Sequence, residues 1–89
     1  MRRCTIIVSG LVHGVGFRSF AHKAAKEYGL TGFVENISSG VRLVVEGYEL
    51  PINKLIAALE KGPSRSAVKD VNVRWEEPKK EFSDFRIVF

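Results

Sequence analysis

The stretch CTIIVSGLVHGVGFRSFAHKAAKEYG, residues 4–29, changes from strand-like to helix-like spacing of its apolar residues. Its first part is rich in β-branched residues and ends at Gly10, which predicts a β-strand. Gly29 stands where the end of a helix favours left-handed backbone, and Leu30 follows as its apolar partner. A loop with three glycines joins the two predicted elements. Beyond it, apolar residues recur at helical spacing and form one stripe: Phe17, Phe20, Ala21, Ala24, Ala25 and Tyr28.

A hairpin and a second helix are predicted next. Residues 30–47, LTGFVENISSGVRLVVEG, have the pattern of two strands joined by a tight turn at residues 38–40. Pro51 is predicted at the first position of the following helix, and Gly62 with Pro63 ends it. That helix has an apolar stripe of its own: Ile52, Leu55, Ile56 and Leu59.

The C-terminal part completes a βαββαβ order. Residues 71–77, VNVRWEE, alternate in the manner of a strand, and Trp75, like Tyr28 and the phenylalanines, is predicted on a core face. Residues 85–89, FRIVF, can add a last short strand. This order is the α+β, ferredoxin-like sandwich, which implies an antiparallel sheet with both helices on one face. A chain of 89 residues suits a single domain, 1–89.

Composition restricts the partners and the compartment. Net charge is +4 and the pI is near 9.5, which favours an anionic partner such as a phosphate or a nucleic acid. Cys4 is the only cysteine, so an internal disulfide and a cysteine zinc site are excluded, as is typical of a reducing compartment. No apolar stretch approaches the ~20 residues of a membrane helix, and no signal-peptide pattern is present. A cytoplasmic protein with no membrane partner is therefore predicted.

The loop GLVHGVGFR, residues 10–18, is a candidate anion-binding site. It is predicted before a helix start, where backbone N–H groups have no intrahelical partner and the helix dipole adds positive potential. Glycines allow consecutive N–H groups to turn toward one anion, and the Arg18 guanidinium can add a two-pronged contact. The loop matches neither a Walker loop nor a dinucleotide fingerprint. A plain glycine-rich turn with a surface arginine explains the local pattern equally well.

Asn36 ends the second predicted strand, just before the turn. Its carboxamide can serve the turn itself, because Asn tolerates left-handed backbone and bonds to its own neighbours. Alternatively, the carboxamide can hold a water molecule, because it both accepts and donates hydrogen bonds. In a ferredoxin-like sheet the end of the second strand can lie near the first loop. That placement would bring Asn36 within reach of an anion bound by Arg18.

These two segments resemble the signatures of the acylphosphatase family. The first signature, G-x-V-Q-G-V-x-F-R, is matched at Gly10, Val12, Gly14, Val15, Phe17 and Arg18. The second, G-W-V-x-N, is matched with Phe where the family commonly has Trp, at Gly32, Phe33, Val34 and Asn36. SDFRIVF, residues 83–89, is similar to the family's last strand. The resemblance covers nearly the whole chain and implies the same βαββαβ fold.

The resemblance also implies an activity, which is hydrolysis of the carboxyl–phosphate bond of acyl phosphates to a carboxylate and inorganic phosphate. It implies that Arg18 binds the phosphate and that Asn36 orients the attacking water. The substrate would lie in a cradle of backbone amides at Val12, His13, Gly14, Val15, Gly16 and Phe17. The implied partner is a small-molecule acyl phosphate, with no metal and no other cofactor.

The chain departs from the family pattern at three points. His13 replaces the usual Gln, which changes a side chain but not the backbone donors. Glu35 stands where the family often has a basic residue, and it should face away from Asn36 because neighbours on a strand point to opposite faces. The turn after Asn36 is one residue shorter than usual, and either Ser38 or Ser39 can supply the hydroxyl often found there.

Two other functions compete with hydrolysis. A basic ferredoxin-like domain can bind RNA, but the first and third predicted strands have no aromatic residue on which bases could stack. No nucleic-acid partner is therefore predicted. A non-catalytic relative within a larger protein is the other alternative, and the prompt end of the chain after its last strand favours a free-standing enzyme. A monomer is predicted, because nothing in the sequence demands a dimer. His13 and His22 lack carboxylates at ligand spacing, so no metal site is predicted, and His22 is placed on the solvent side of its helix.

Overall fold

The computed structural model describes residues 1–89 and contains five strands and two helices. In chain order they are β1 (Arg2–Leu11), α1 (Phe17–Glu27), β2 (Thr31–Ile37), β3 (Gly40–Gly47), α2 (Glu49–Lys61), β4 (Ala67–Glu76) and β5 (Phe85–Val88). The first six follow the predicted order, so the ferredoxin-like βαββαβ fold is confirmed. Neither helix has the length and apolar character that crossing a bilayer requires.

The five strands form one sheet in the order β4-β1-β3-β2-β5. The first four of these pair antiparallel, as the sequence predicts. In contrast, β5 pairs parallel with β2, and Val34 lies opposite Ile87 while Glu35 lies opposite Val88. The complete sheet is therefore mixed, and its fifth strand brings the last residues of the chain beside the end of β2.

The core lies between one face of the sheet and the two helices. The two central strands, β1 and β3, supply alternate residues that are fully buried: Cys4, Ile6, Val8, Val41, Leu43 and Val45. The helices contribute the buried residues of their apolar stripes: Phe17, Ala21, Ala25, Ile52, Leu55 and Leu59. The helical periodicity in the sequence thus identified the packing faces of α1 and α2.

The end of α1 is closed as predicted. Gly29 has a φ of 69°, in the left-handed region that side chains disfavour. The N–H of Leu30 donates to the carbonyl of Ala25 at 2.9 Å, and the N–H of Gly29 donates to that of Lys26 at 3.1 Å. These two bonds form a Schellman motif, which satisfies carbonyls that the helix end would otherwise leave unpaired.

Helix α2 begins two residues earlier than expected, so the predicted position of Pro51 is wrong. Glu49 is the first helical residue, and Pro51 occupies the third position. Proline is tolerated there because the first amides of a helix have no intrahelical acceptor, so its missing N–H costs no bond. Tyr48 precedes the helix and provides no side-chain cap. The charge of Glu49 instead suits the positive end of the helix dipole.

Two further side chains lie elsewhere than predicted. Trp75 is 38% exposed on the edge strand β4, where the guanidinium carbon of Arg2 is 4.4 Å from the ring centroid. His22 is half-buried rather than on the solvent side, and its Nε2 lies 3.1 Å from the carbonyl oxygen of Phe85. Both side chains contact residues distant in sequence, which helical or strand periodicity does not reveal.

Residues 77–84 cross the sheet face opposite the helices, from β4 at one edge to β5 at the other. The Glu46 carboxylate, on β3, accepts the N–H groups of Lys79 at 2.7 Å and Lys80 at 3.2 Å, and Nη1 of Arg3 at 3.0 Å. Burial alone would raise the pKa of Glu46, but these hydrogen bonds outweigh it and lower that pKa. A buried, ionised carboxylate therefore fastens the crossing segment that leads to β5.

Candidate active site

A small pocket lies where the loop after β1 meets α1, the end of β2, and β5. Its volume is about 120 Å³, well below the roughly 300–1,000 Å³ of pockets that enclose drug-sized ligands. Its polar lining consists of two loop glycines, two residues at the start of α1 and one residue of β2: Gly14, Gly16, Arg18, Ser19 and Asn36. Its apolar lining consists of Val12, Phe17, Ile87 and Phe89.

The glycine loop supplies unpaired backbone donors. Gly14 and Gly16 have φ values of 70° and 75°, which only glycine adopts without strain. The backbone N–H groups of residues 13–16 donate no hydrogen bond to another backbone group. The first bond of the helix runs from the N–H of Phe20 to the carbonyl of Gly16 at 3.0 Å, so the amides of residues 17–19 also lack a backbone acceptor.

The start of α1 has no negative charge to compensate these donors. Gly16 is the N-cap, it provides no side-chain cap, and no acidic residue lies in the first turn. The positive end of the helix dipole therefore points toward the pocket without a neutralising partner. Free amides and an uncompensated dipole together suit a small anion, and phosphate is one of the anions that helix N-termini bind.

Arg18 lies in the first turn of α1 and takes part in none of the six ion pairs of the protein. Its Nη1 donates to the carbonyl oxygen of Val88 at 3.0 Å, and its guanidinium carbon is 4.9 Å from the ring centroid of Phe89. One side of the guanidinium is thus held by β5 and the residue after it. The remaining N–H donors and the full charge are free for a ligand.

Asn36 reaches the pocket from β2. It lies on the same face as Val34, one residue before the strand ends, and it is exposed. Its carboxamide takes part in none of the side-chain hydrogen bonds of the protein, so both its donor and acceptor atoms are free. Glu35 lies on the opposite face, as expected, and pairs with Arg42 at 2.7 Å.

Two loop side chains named from the sequence do not line the pocket. Val15 is half-buried against the hydrophobic core. His13 is exposed, and its Nε2 donates to the carbonyl of Gly40 at 2.6 Å. Gly40 begins β3, so this bond ties the glycine loop to the hairpin on which Asn36 lies. The side chains of Ser38 and Ser39 do not line the pocket either.

Sequence reasoning missed three pocket residues, namely Ser19, Ile87 and Phe89. Phe89 is 96% exposed, so its assignment to the core is wrong. Ile87 and Phe89 line the pocket because β5 pairs parallel with β2, and the local sequence pattern did not indicate this pairing. Ser19 follows Arg18 in the first helical turn, and the unpaired amides of that turn were the available signal.

Reactive side chains of other kinds lie outside the pocket. Its lining contains no Asp, Glu, His or Cys. The only thiol, Cys4, is in the core, where burial raises its pKa to about 11. No group of three or more His, Cys, Asp or Glu side chains is arranged to hold a metal ion. The chemistry available in the pocket is therefore hydrogen bonding, positive charge and orientation.

Fold and pocket together define a class of protein. It is a ferredoxin-like domain whose first strand–helix junction presents unpaired amides and one free guanidinium, which suits a small oxyanion. The family model for acylphosphatases matches residues 4–87. The chain therefore belongs to the acylphosphatase family, and its activity is the hydrolysis of acyl phosphates.

Individual relatives agree with this assignment. The chain is 39% identical over 90 residues to an acylphosphatase of Roseiflexus sp. (strain RS-1), covering 100% of this chain and 97% of the relative. The crystal structure of acylphosphatase from Bacillus subtilis superposes with a TM-score of 0.95 at 34% identity, covering 100% of both chains. An acylphosphatase structure from Coxiella burnetii gives a TM-score of 0.91 at 40% identity, covering 98% of this chain and 92% of the other.

Proposed function

We propose that the pocket is the catalytic site for acyl phosphate hydrolysis, with Arg18 binding the phosphoryl group and Asn36 orienting the attacking water. One observation supports this proposal above the others. Arg18, Asn36 and the two left-handed glycines of the loop, which come from separate segments of the chain, all line one pocket of phosphate-binding character. Ser19 is the only other polar side chain in the lining, and it is the neighbour of Arg18 at the start of α1.

The phosphoryl group is bound by the amides of residues 13–17 and by the guanidinium of Arg18, whereas the N–H of Val12 already donates to the carbonyl of Gly10 at 3.1 Å. The amides donate to phosphoryl oxygens, and the guanidinium adds a bidentate, charge-assisted contact. Both sets of donors are aimed before the substrate arrives, because Gly16 starts the helix and Arg18 is held by the carbonyl of Val88. Preorganised donors of this kind stabilise the negative charge that spreads over the phosphoryl oxygens in the transition state.

The water is held by the free carboxamide of Asn36. The amide oxygen accepts one proton of the water in a hydrogen bond, which directs an oxygen lone pair toward phosphorus, in line with the leaving carboxylate. As the new P–O bond forms, the bond between phosphorus and the carboxylate oxygen breaks, and its electron pair leaves with the carboxylate. The proton lost by the water goes to a phosphoryl oxygen, so the products are a carboxylate and inorganic phosphate.

A site without a general base is sufficient for this reaction. The carboxylate of an acyl phosphate is a good leaving group, and phosphoryl transfer depends mainly on positioning and charge stabilisation. The loop and Arg18 supply the charge stabilisation, and Asn36 supplies the positioning. We propose that residues 1–89 form a single catalytic domain, which acts as a monomer in the cytoplasm. Its only partner is the acyl phosphate substrate. The buried, unpaired thiol of Cys4 supports a reducing compartment.

The test follows the ultraviolet absorbance of benzoyl phosphate in the presence of EDTA. We expect Arg18→Ala to lower kcat/KM by about 10²–10³-fold and to weaken inhibition by inorganic phosphate. Arg18→Lys should not restore either property, because an ammonium group cannot form the two-pronged contact. Arg74→Ala is the matched control, because Arg74 is exposed on β4 and has no ion-pair partner.

Asn36→Ala separates binding from turnover. We expect kcat to fall by about 10²-fold, while inhibition by inorganic phosphate stays close to that of the unmodified protein. Asn72→Ala, at an exposed position of β4, is the control on another strand of the same sheet. Near-normal kcat in Asn36→Ala would contradict the role of Asn36 in orienting the water. Unchanged phosphate inhibition in Arg18→Ala would contradict the role of Arg18 in binding the phosphoryl group.

A further inference from the structure

The pocket has an apolar side that phosphate binding does not use. Ile87 and Phe89 line it together with Arg18 and Asn36, although phosphate has nothing to gain from either. They are present because β5 adds parallel to β2, with Ile87 opposite Val34. The polar and apolar parts of the lining thus come from different ends of the chain and meet at one opening.

The position of Phe89 is tied to the phosphate-binding arginine. The guanidinium carbon of Arg18 is 4.9 Å from the Phe89 ring centroid, and Nη1 of Arg18 donates to the carbonyl of the preceding residue, Val88, at 3.0 Å. A stacked guanidinium and a hydrogen-bonded backbone hold the ring beside the pocket. The ring is nevertheless 96% exposed, so nearly all of its surface is free for contact with a ligand.

We propose that Ile87 and Phe89 form a subsite for the acyl group, which favours acyl phosphates with an aromatic or extended aliphatic acyl chain. The subsite rests on the proposed function, because it requires the phosphoryl group to lie in the cradle with Arg18. A substrate bound in this way directs its acyl group out of a pocket of about 120 Å³, and Phe89 lies at the exposed part of the lining.

The chemistry of the lining favours this class of acyl group. An aromatic ring or an alkyl chain removes apolar surface of Phe89 and Ile87 from water, and an aromatic acyl group can also pack against the Phe89 ring. A short acyl group such as acetyl covers little of that surface. A negatively charged acyl group would keep its charge in solvent and would gain nothing from the two apolar side chains.

The experiment compares benzoyl phosphate with acetyl phosphate. The measured quantity is the ratio of their kcat/KM values, in the unmodified protein and in Phe89→Ala and Phe89→Leu. We expect this ratio to fall by about three- to tenfold in Phe89→Ala and by less in Phe89→Leu, which retains an apolar side chain. Trp75→Ala is the matched control, because Trp75 is also an exposed aromatic residue under an arginine, Arg2, and does not line the pocket.

A second measurement separates the subsite from support of Arg18. Inhibition by inorganic phosphate, which has no acyl group, should change less than twofold, about 0.4 kcal/mol, in Phe89→Ala. An unchanged substrate ratio would refute the proposal. Equal losses with both substrates, accompanied by equally weak phosphate inhibition, would also refute it, since the ring would then act only through the guanidinium.

Binding of non-hydrolysable phosphonates tests the subsite independently of turnover. By calorimetry, benzylphosphonate should bind more tightly than methylphosphonate to the unmodified protein, and Phe89→Ala should lose this preference. If the protein hydrolyses neither acyl phosphate but retains the phosphonate preference, the proposed catalytic roles fail and the subsite stands. Equal affinity for the two phosphonates would refute the subsite even if both acyl phosphates are hydrolysed.

Discussion

Replacement of Glu46 by Gln should destabilise the whole fold, because it removes the charge that fastens residues 77–84 across the sheet. One carboxylate oxygen of Glu46 accepts three hydrogen bonds, from the amides of Lys79 and Lys80 and from Arg3. Gln keeps the shape and one acceptor oxygen, so the two bonds from backbone amides become neutral, and the bond from Arg3 loses its anionic acceptor. Breaking a buried ion pair costs about 3–5 kcal/mol of the free energy of unfolding.

The lower end of that range applies, because Arg3 keeps two other carboxylate partners. Its Nη1 donates to Glu81 at 2.7 Å and its Nε donates to Glu76 at 3.2 Å. Burial by itself would lower the pKa of Arg3, but its bonds to Glu81, Glu46 and Glu76 outweigh burial and raise it. We therefore expect Glu46→Gln to lower the free energy of unfolding by about 3 kcal/mol, measured by urea denaturation at pH 7.

The pH dependence supplies a second readout of the same interaction. Because the pKa of Glu46 is lowered in the folded state, its ionisation stabilises the protein fully above its unfolded pKa, about 4.3. That stabilisation is lost as the pH falls through the lower, folded value. The unmodified protein should therefore lose stability below about pH 4.3, and Glu46→Gln should lose less. Part of the acid loss should remain, because the pKa of Glu76 is lowered too, chiefly by the hydroxyl of Thr5.

Glu60→Gln is the control, because Glu60 is exposed on α2 and forms no ion pair. It should change the free energy of unfolding by no more than about 0.5 kcal/mol at either pH. A loss below 1 kcal/mol in Glu46→Gln at pH 7, or an acid dependence identical to that of the unmodified protein, would show that this carboxylate does not fasten the crossing segment.

Two smaller perturbations test the loop itself. Gly16→Ala should lower the free energy of unfolding by about 1–2 kcal/mol, because alanine disfavours the positive φ, and it should also weaken inhibition by phosphate. Gly29→Ala is the control, because Gly29 has nearly the same φ and equal space at the other end of α1, and it should lower stability alone. Equal phosphate inhibition in the two variants would contradict the role of the loop. His13→Ala should lower kcat/KM for benzoyl phosphate by about three- to tenfold by freeing the loop from Gly40, and His13→Gln should retain activity through its amide donor. His22→Ala is the control, because it loses a similar bond to the backbone carbonyl of Phe85. An equal loss of kcat/KM in the two alanine variants would contradict a specific effect of His13.

Local pattern was sufficient for much of the fold. The helical stripe from Phe17 to Tyr28 contains the residues that α1 buries in the core, namely Phe17, Ala21 and Ala25. The termination of α1 at Gly29 was also correct, because a Schellman motif depends on a left-handed residue followed by an apolar one. These features depend on contacts within a few residues, so their signals lie within short segments of the chain.

The site was only partly accessible in this way. Arg18, Gly14 and Gly16 were found because a strand, a glycine loop and a helix start are consecutive in sequence. Asn36 was found through its place at the end of β2 and through the resemblance to a family. The exposed Trp75 and the half-buried His22 were misplaced, since each contacts a residue far along the chain.

The amino-acid sequence by itself determined the strand–helix order, the buried faces and the chemical character of the loop, because apolar spacing and glycine conformation act locally. Only the tertiary structure decided that β5 lies parallel to β2, and therefore that Ile87 and Phe89 meet Arg18 and Asn36 in one pocket. That arrangement depends on a segment that crosses the sheet and is fastened by the buried charge of Glu46. Pairing between such distant segments is set by the packing of the whole sheet, and no short stretch of sequence contains it.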